Sequence, residues 1–210
     1  CATLVDEWAR QGVRHAVVAP GSRSTPLAVA LARNESIEVH VFHDERSASF
    51  AALGIGTASG FPAVLLCTSG TAATHFHGAV VEAHQSDVPM IVCTADRPPE
   101  LRDVGAAQTI DQTHLFGTAV RWFHDPGVPS RDAATTWRSL ASRTVQAAVG
   151  ARPGPVHLNL PFREPLTGDV GDMPASRGKK WSEVVHLGAS EIQDLSEIIK
   201  AISGRRGVII

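Results

Sequence analysis

No stretch of this chain is apolar for anything near the roughly 20 residues that a membrane-spanning helix needs, so no span is expected. An excess of charge is also lacking. The 19 Lys and Arg against 21 Asp and Glu leave a formal net charge of −2. That balance gives no reason to expect nucleic acid or an acidic membrane surface as partner. Cysteine is scarce: Cys1, Cys67 and Cys93 are odd in number, and no Cys-x-x-Cys pair exists to hold a structural zinc. Two of the three lie in apolar strand patterns, which fits buried free thiols in a reducing, cytoplasmic compartment. No internal repeat, low-complexity tract or signal-peptide pattern is visible.

What is there is a core-forming sequence. Hydrophobic residues make up 43% and charged residues 19% of 210 residues, enough for one full domain and the start of another. Strands and helices alternate. Strands are expected at 15–19, 38–42, 63–67, 90–93, 118–123 and 155–160. Helices are expected at 2–11, 46–59, 71–85 and 132–148, with a further helix capped by Ser24 or Thr25 and carrying Pro26 in its first turn. That alternation predicts a three-layer α/β/α domain around a six-stranded, mainly parallel sheet, spanning residues 1–166. Residues 167–189, rich in Gly and Pro, read as a linker. Residues 190–210 read as the start of a second, truncated α/β domain, with a helix opening at Ser190 and a strand at Gly207–Ile210. The first helical pattern begins at Cys1 without Met and the last strand pattern runs to Ile210, so the expectation is an N-terminal piece of a longer protein.

Four strands run straight into polar loops: HAVVAP into GSRSTP, VHVF into HDERSAS, AVLLC into TSGTAAT and PMIVC into TADRPPELR. In an open α/β sheet, ligands bind beyond the carboxyl ends of the strands. Ser22, Arg23, Glu45, Ser69, Gly70 and Arg97 are therefore expected along one edge. The Gly21-Ser22-Arg23-Ser24 turn offers helix N–H groups and a guanidinium to an anion, or else Gly21 only makes the turn and Arg23 is solvated. Glu45 starts a helix of small residues. It is either a partly buried carboxyl able to donate a hydrogen bond while neutral, or an ordinary helix-start acid. Thr68-Ser69-Gly70-Thr71 lets a backbone approach a ligand, though a plain turn explains it as well. After Arg97, two prolines stiffen the chain. Arg102, Gln108 and Gln112 follow in a polar segment long enough to suggest a site rather than a solvated loop. His75, His77 and His84 share a helix without a third ligand at metal spacing. Trp122, Trp137 and Trp181 suit core or interface packing.

The segments PGSRSTPL, DERSASFAALGIGTASG, CTSGTAATHFHGAVVEAHQSDVPMIVCTADRPPELRDVGAAQTIDQ and GPVHLNLPFREPL resemble the MenD family over about residues 1–166. These are thiamine-diphosphate-dependent synthases of menaquinone biosynthesis. The resemblance implies the thiamine-diphosphate-binding fold, with this chain as the pyrimidine-binding domain and the opening of the middle domain. It implies that Glu45 hydrogen-bonds N1′ of the cofactor's aminopyrimidine and so activates the thiazolium carbon. Ser69, Gly70 and Thr71 would lie near the cofactor ring. Ser22, Arg23, Arg97 and Gln108 would hold the substrates, 2-oxoglutarate and isochorismate, each of which carries two carboxylates. The family commonly has Asn just before that glutamine, where this chain has Ala107. Mg2+ or Mn2+ would be held by a diphosphate-binding domain that this chain does not contain. The resemblance further implies a homo-oligomer, a dimer at least, and an isolated fragment without activity. Two alternatives remain: another thiamine-dependent 2-oxo acid decarboxylase or carboligase, and a non-catalytic anion-binding domain of the same fold.

Overall fold

Segments of three to seven residues, most of them largely apolar, become strands, and all pair in one direction. The computed structural model describes residues 1–130, 132–168 and 180–183, with isolated positions beyond. The strands are β1 (His15–Val18), β2 (Glu38–Val41), β3 (Ala63–Cys67), β4 (Met90–Asp96), β5 (Trp122–His124) and β6 (Pro155–Pro161). They form a six-stranded sheet in the order β2-β1-β3-β4-β6-β5, with every neighbouring pair parallel. The helices are α1 (Ala2–Gln11), α2 (Thr25–Ala32), α3 (Glu45–Ser59), α4 (His77–Gln85) and α5 (Thr136–Val149).

The central strands β3, β4 and β6 are buried at every position, as expected of strands covered on both faces. Their side chains alternate between two cores. Val64 and Leu66 join Leu4, Trp8, Leu31, Val145 and Leu158 beneath α1, α2 and α5. Ala63, Leu65 and Cys67 join Val17, Phe76, Val80 and Phe116 beneath α3 and α4. Cys67 and Cys93 are buried free thiols, and Cys1 is a half-buried one.

Several boundaries differ from the sequence pattern for local reasons. β4 continues through Thr94, Ala95 and Asp96, because the polar side chains of this stretch find buried partners. β5 occupies Trp122–His124 rather than 118–123, since Gly117–Ala119 coils into a 3-10 turn. The expected helix at 71–85 opens as a 3-10 turn over Gly70–Phe76 before α4 begins. α3 opens at Glu45, with Asp44 as its cap accepting the Ser47 N–H at 2.7 Å. Ser24 stands at the cap position of α2, but its hydroxyl turns back to donate to the Gly21 carbonyl. Of the expected linker, 180–183 returns to the domain: the Trp181 N–H donates to Glu7 at 2.7 Å and the Ser182 carbonyl accepts from Gln11. The remainder of that linker between 169 and 189, and the expected elements at 190–210, lie outside the described residues apart from isolated positions.

Candidate active site

The strand order places the polar loops side by side. From β1 the chain crosses to β2 on one side, and from β3 to β4 on the other. The gap between β1 and β3 is thus the topological switch point, where open α/β sheets form ligand crevices. Along the carboxyl edge the order of loop residues is Glu45, Arg23, Ser69 with Gly70, then Arg97. Three strand spacings of about 4.8 Å put the two ends about 14 Å apart.

At the switch point the two turns touch. A Cβ on Gly21 would meet Thr68 Cβ at 2.4 Å, so no side chain fits there. Gly70 has φ +84, and a Cβ on it would meet Gln108 at 3.0 Å. Among the described residues, two buried polar atoms of these loops, Thr68 Oγ1 and Arg23 Nε, lack a hydrogen-bond partner. Unmet buried donors and acceptors are uncommon in folded proteins and mark a place for a ligand.

Arg23 is 7% exposed, not solvated. Its Nη1 donates to the Phe162 carbonyl at 2.9 Å, and its Nη2 lies 3.2 Å from Glu164. Arg97 donates from Nη1 to Ser69 Oγ at 2.7 Å and from Nη2 to the Ala107 carbonyl at 3.2 Å. Burial, then the positive charge of Arg23, push the Arg97 pKa down. The charge of Arg23 thus reaches Arg97 along this edge, and a guanidinium is suited to bind a carboxylate. Gln108 closes the same loop, its amide donating to the Ser69 carbonyl at 3.1 Å and its carbonyl accepting from Ser69 Oγ at 3.2 Å.

Glu45 is half-buried at the first position of α3, and among the described residues its carboxyl has no hydrogen-bond or ion-pair partner. Its charge reaches the end of β3: after burial, it is the largest influence raising the Cys67 thiol. Ser22 and Thr71 are exposed, and among the described residues neither side chain is hydrogen-bonded to the cluster.

A buried polar layer under the loops is less evident from the sequence. Asn159 of β6 donates to Asp96 at 2.8 Å and to Asp125 at 3.1 Å, and accepts from Gln112 and Thr94. Gln112 in turn accepts the Gly70 N–H at 2.9 Å. Asp96 caps the Arg97 N–H at 2.7 Å and pairs with Arg102 at 2.8 Å. Burial pushes the Asp96 carboxyl up, against the lowering pull of Asn159 and Arg102. This layer fixes the backbone at Gly70 and Arg97 together. The signal for it was the pair of polar residues His157 and Asn159 at alternate positions of an otherwise apolar strand, which turns both to one face.

The profile of the family described as "Thiamine pyrophosphate enzyme, N-terminal TPP binding domain" matches residues 2–115. The chain belongs to that family, whose cofactor is thiamine diphosphate with a divalent metal. It is also similar to proteins named 2-succinyl-5-enolpyruvyl-6-hydroxy-3-cyclohexene-1-carboxylate synthase. The one from Thermobifida fusca is 59% identical over 173 residues, 81% of this chain and 31% of the relative. The one from Geobacillus kaustophilus is 53% identical over 216 residues, 100% of this chain and 37% of the relative. The one from Bacillus velezensis is 48% identical over 215 residues, 99% of this chain and 37% of the relative. The chain spans about a third of the length of the curated relatives it matches.

The crevice residues fit the aromatic end of that cofactor. An unpartnered carboxyl, an unmet buried hydroxyl and two glycine positions closed to side chains offer a polar, close-walled slot. Among the described residues this edge gathers no group of three or more metal-ligating side chains.

Proposed function

We propose that this chain is the pyrimidine-binding part of a synthase that decarboxylates 2-oxoglutarate and adds the resulting succinyl unit to isochorismate. The observation that supports the reading is the ordered edge itself: a carboxyl, unpartnered among the described residues, at one end, and beyond it the Arg23 and Arg97 guanidinium groups held on their loops. Thiamine diphosphate, when bound, supplies the electron sink for decarboxylation of a 2-oxo acid. Glu45 would hold a carboxyl proton toward the pyrimidine ring nitrogen, with the Ser69, Gly70 and Thr71 turn lying beside the ring. Arg23 and Arg97 would orient substrate carboxylates, with Ser22 and Gln108 at the rim. An anion on Arg23 would also satisfy its unmet Nε. Ser69 and Gln108 keep Arg97 extended across the crevice.

The proposed whole protein is a cytoplasmic homo-oligomer, a dimer at least, with Mg2+ or Mn2+ held outside this chain. Residues 1–166 form the pyrimidine-binding domain, 167–189 the linker and 190–210 the opening of the middle domain.

The full-length protein tests the reading. Thiamine-dependent consumption of 2-oxoglutarate should require isochorismate, and pyruvate should not replace 2-oxoglutarate. Glu45→Gln should lower kcat by at least about a hundredfold, the range for losing a positioned acid; near wild-type turnover would remove Glu45 from the chemistry. Arg97→Ala should raise the KM for the substrates while cofactor affinity holds. An equal loss of cofactor affinity would contradict its role.

A further inference from the structure

We propose that His15, Glu38 and His40 form a binding site for one divalent transition-metal ion of borderline softness, with zinc as the reference case. The site lies on β1 and β2 at the edge of the sheet: His15 and Glu38 are the first residues of their strands, and His40 follows two positions on. Parallel pairing sets His15 across from Glu38 and Val17 across from His40. Residues two apart on a strand share a face, so Glu38 and His40 project together. Val39 between them packs on the first core, which leaves the other face to the cluster. His15 lies on that same face of the neighbouring strand.

The spacing is that of a coordination shell. His15 Nδ1 lies 3.3 Å from His40 Nε2 and 3.6 Å from Glu38 Oε2. All three ligand atoms lie within 4.8 Å of one another. Zinc bonds of about 2.0–2.2 Å at a tetrahedral angle separate neighbouring ligands by about 3.4 Å. The two short edges already have that length, so an ion needs only small rotations of exposed side chains. The His15 and Glu38 side chains are 36% and 67% exposed. An ion can therefore enter from solvent, and water can fill its fourth position.

The chemistry of the set selects the ion. Two imidazoles and one carboxylate suit zinc, cobalt, nickel or copper, whereas magnesium and calcium ask for more oxygen ligands. Arg14, next to His15 in the chain, donates to the carbonyls of Ala9 and Val13. Binding needs lone pairs on both facing nitrogens. Each ring would then carry its proton on the nitrogen remote from the ion. The bound ion would join an edge strand to its only neighbour by a second, non-backbone link.

The test is calorimetric titration of the full-length protein with Zn2+, with and without excess Mg2+, beside thermal melts with and without Zn2+. The expected result is a one-to-one phase insensitive to Mg2+ and a raised Tm. That phase should weaken by at least about tenfold in His15→Asn and in His40→Asn, and less in Glu38→Gln. Metal-free melts of the three variants check that the edge strand still folds, and Glu38→Gln serves where a histidine variant does not. The proposal is overturned if the wild type shows no such phase, if the phase survives unchanged in all three variants, or if Mg2+ displaces Zn2+ at equal concentration.

Discussion

His157 sits in a fully buried strand with Nε2 2.7 Å from Thr94 Oγ1 and no partner for Nδ1 among the described residues. Burial, then the charge of His114, hold its pKa down to about 3. The folded protein thus keeps the ring neutral where the unfolded chain, with a pKa near 6.5, takes up a proton. The unfolded state binds more protons between those two values, so stability must fall as pH drops from about 6.5 toward 3, by up to about 1.4 kcal/mol per pH unit. His124, also lowered by burial, acts in the same direction. The lowered carboxyls of Asp6, Asp44, Asp111 and Glu100 begin to count from about pH 5 downward, as their unfolded forms start to protonate, and they act in the same direction. Urea midpoints between pH 6.5 and 4.5 should therefore slope less in His157→Gln, by close to one proton. Parallel slopes would mean that the wild-type ring is not neutral when folded. The glycine at the switch point makes a separate prediction. Gly21 has φ −172, an ordinary extended value, so its constraint is the contact with Thr68 and not its backbone angle. Gly21→Ala should cost about 1–3 kcal/mol by overpacking and disturb the crevice. Unchanged stability would show that Thr68 can retreat.

Among the elements, α1 and α5 are joined by a buried charge cluster. Arg138 Nη1 lies 2.8 Å from Asp6 and 3.3 Å from Glu7, with Arg138 2% and Glu7 0% exposed. Arg138→Ala should cost about 3–5 kcal/mol, because it strands a buried carboxylate. Adding Glu7→Gln should recover part of that loss, and a strictly additive double variant would exclude the coupling. This helix pair was legible in the sequence as two apolar stripes. β1, β3 and the first part of β4 were legible as continuous apolar runs, for a strand covered on both faces leaves no polar position to blur the pattern. β5 was harder to place because all three of its residues are only half-buried. The second half of β4 was hidden for the opposite reason. Thr94 and Asp96 look like loop residues until Asn159 and His157, more than 60 positions away, supply their partners. The candidate site divides in the same way. Glu45, Arg23, Ser69 and Arg97 could be read from loops that follow strands. The fixing of Gly70 by Gln112, and of Gln112 by Asn159, depends on contacts between distant segments that local spacing does not encode.

At the scale of the molecule, some apolar groups are left uncovered. Phe50 of α3 and Val41 at the end of β2 are 48% and 60% exposed, and both lie near Glu45 in sequence. Large exposed apolar groups beside a site mark contact surfaces. The 210-residue chain should self-associate as its concentration rises, and Phe50→Ser should weaken this in sedimentation. Association that ignores the substitution would place the contact elsewhere. The strand order also bears on how the chain is made. β4 takes its second neighbour from β6, which starts about 60 residues after Asp96. At about 5–20 residues per second, the ribosome needs roughly 3–12 s to deliver it. Throughout that interval the nascent protein carries an unpaired edge reading Met-Ile-Val-Cys, and Asp96 and Gln112 wait in water for an amide that has not been synthesised. The step that completes the floor beneath the arginine loop is also the step that covers the open edge of β4.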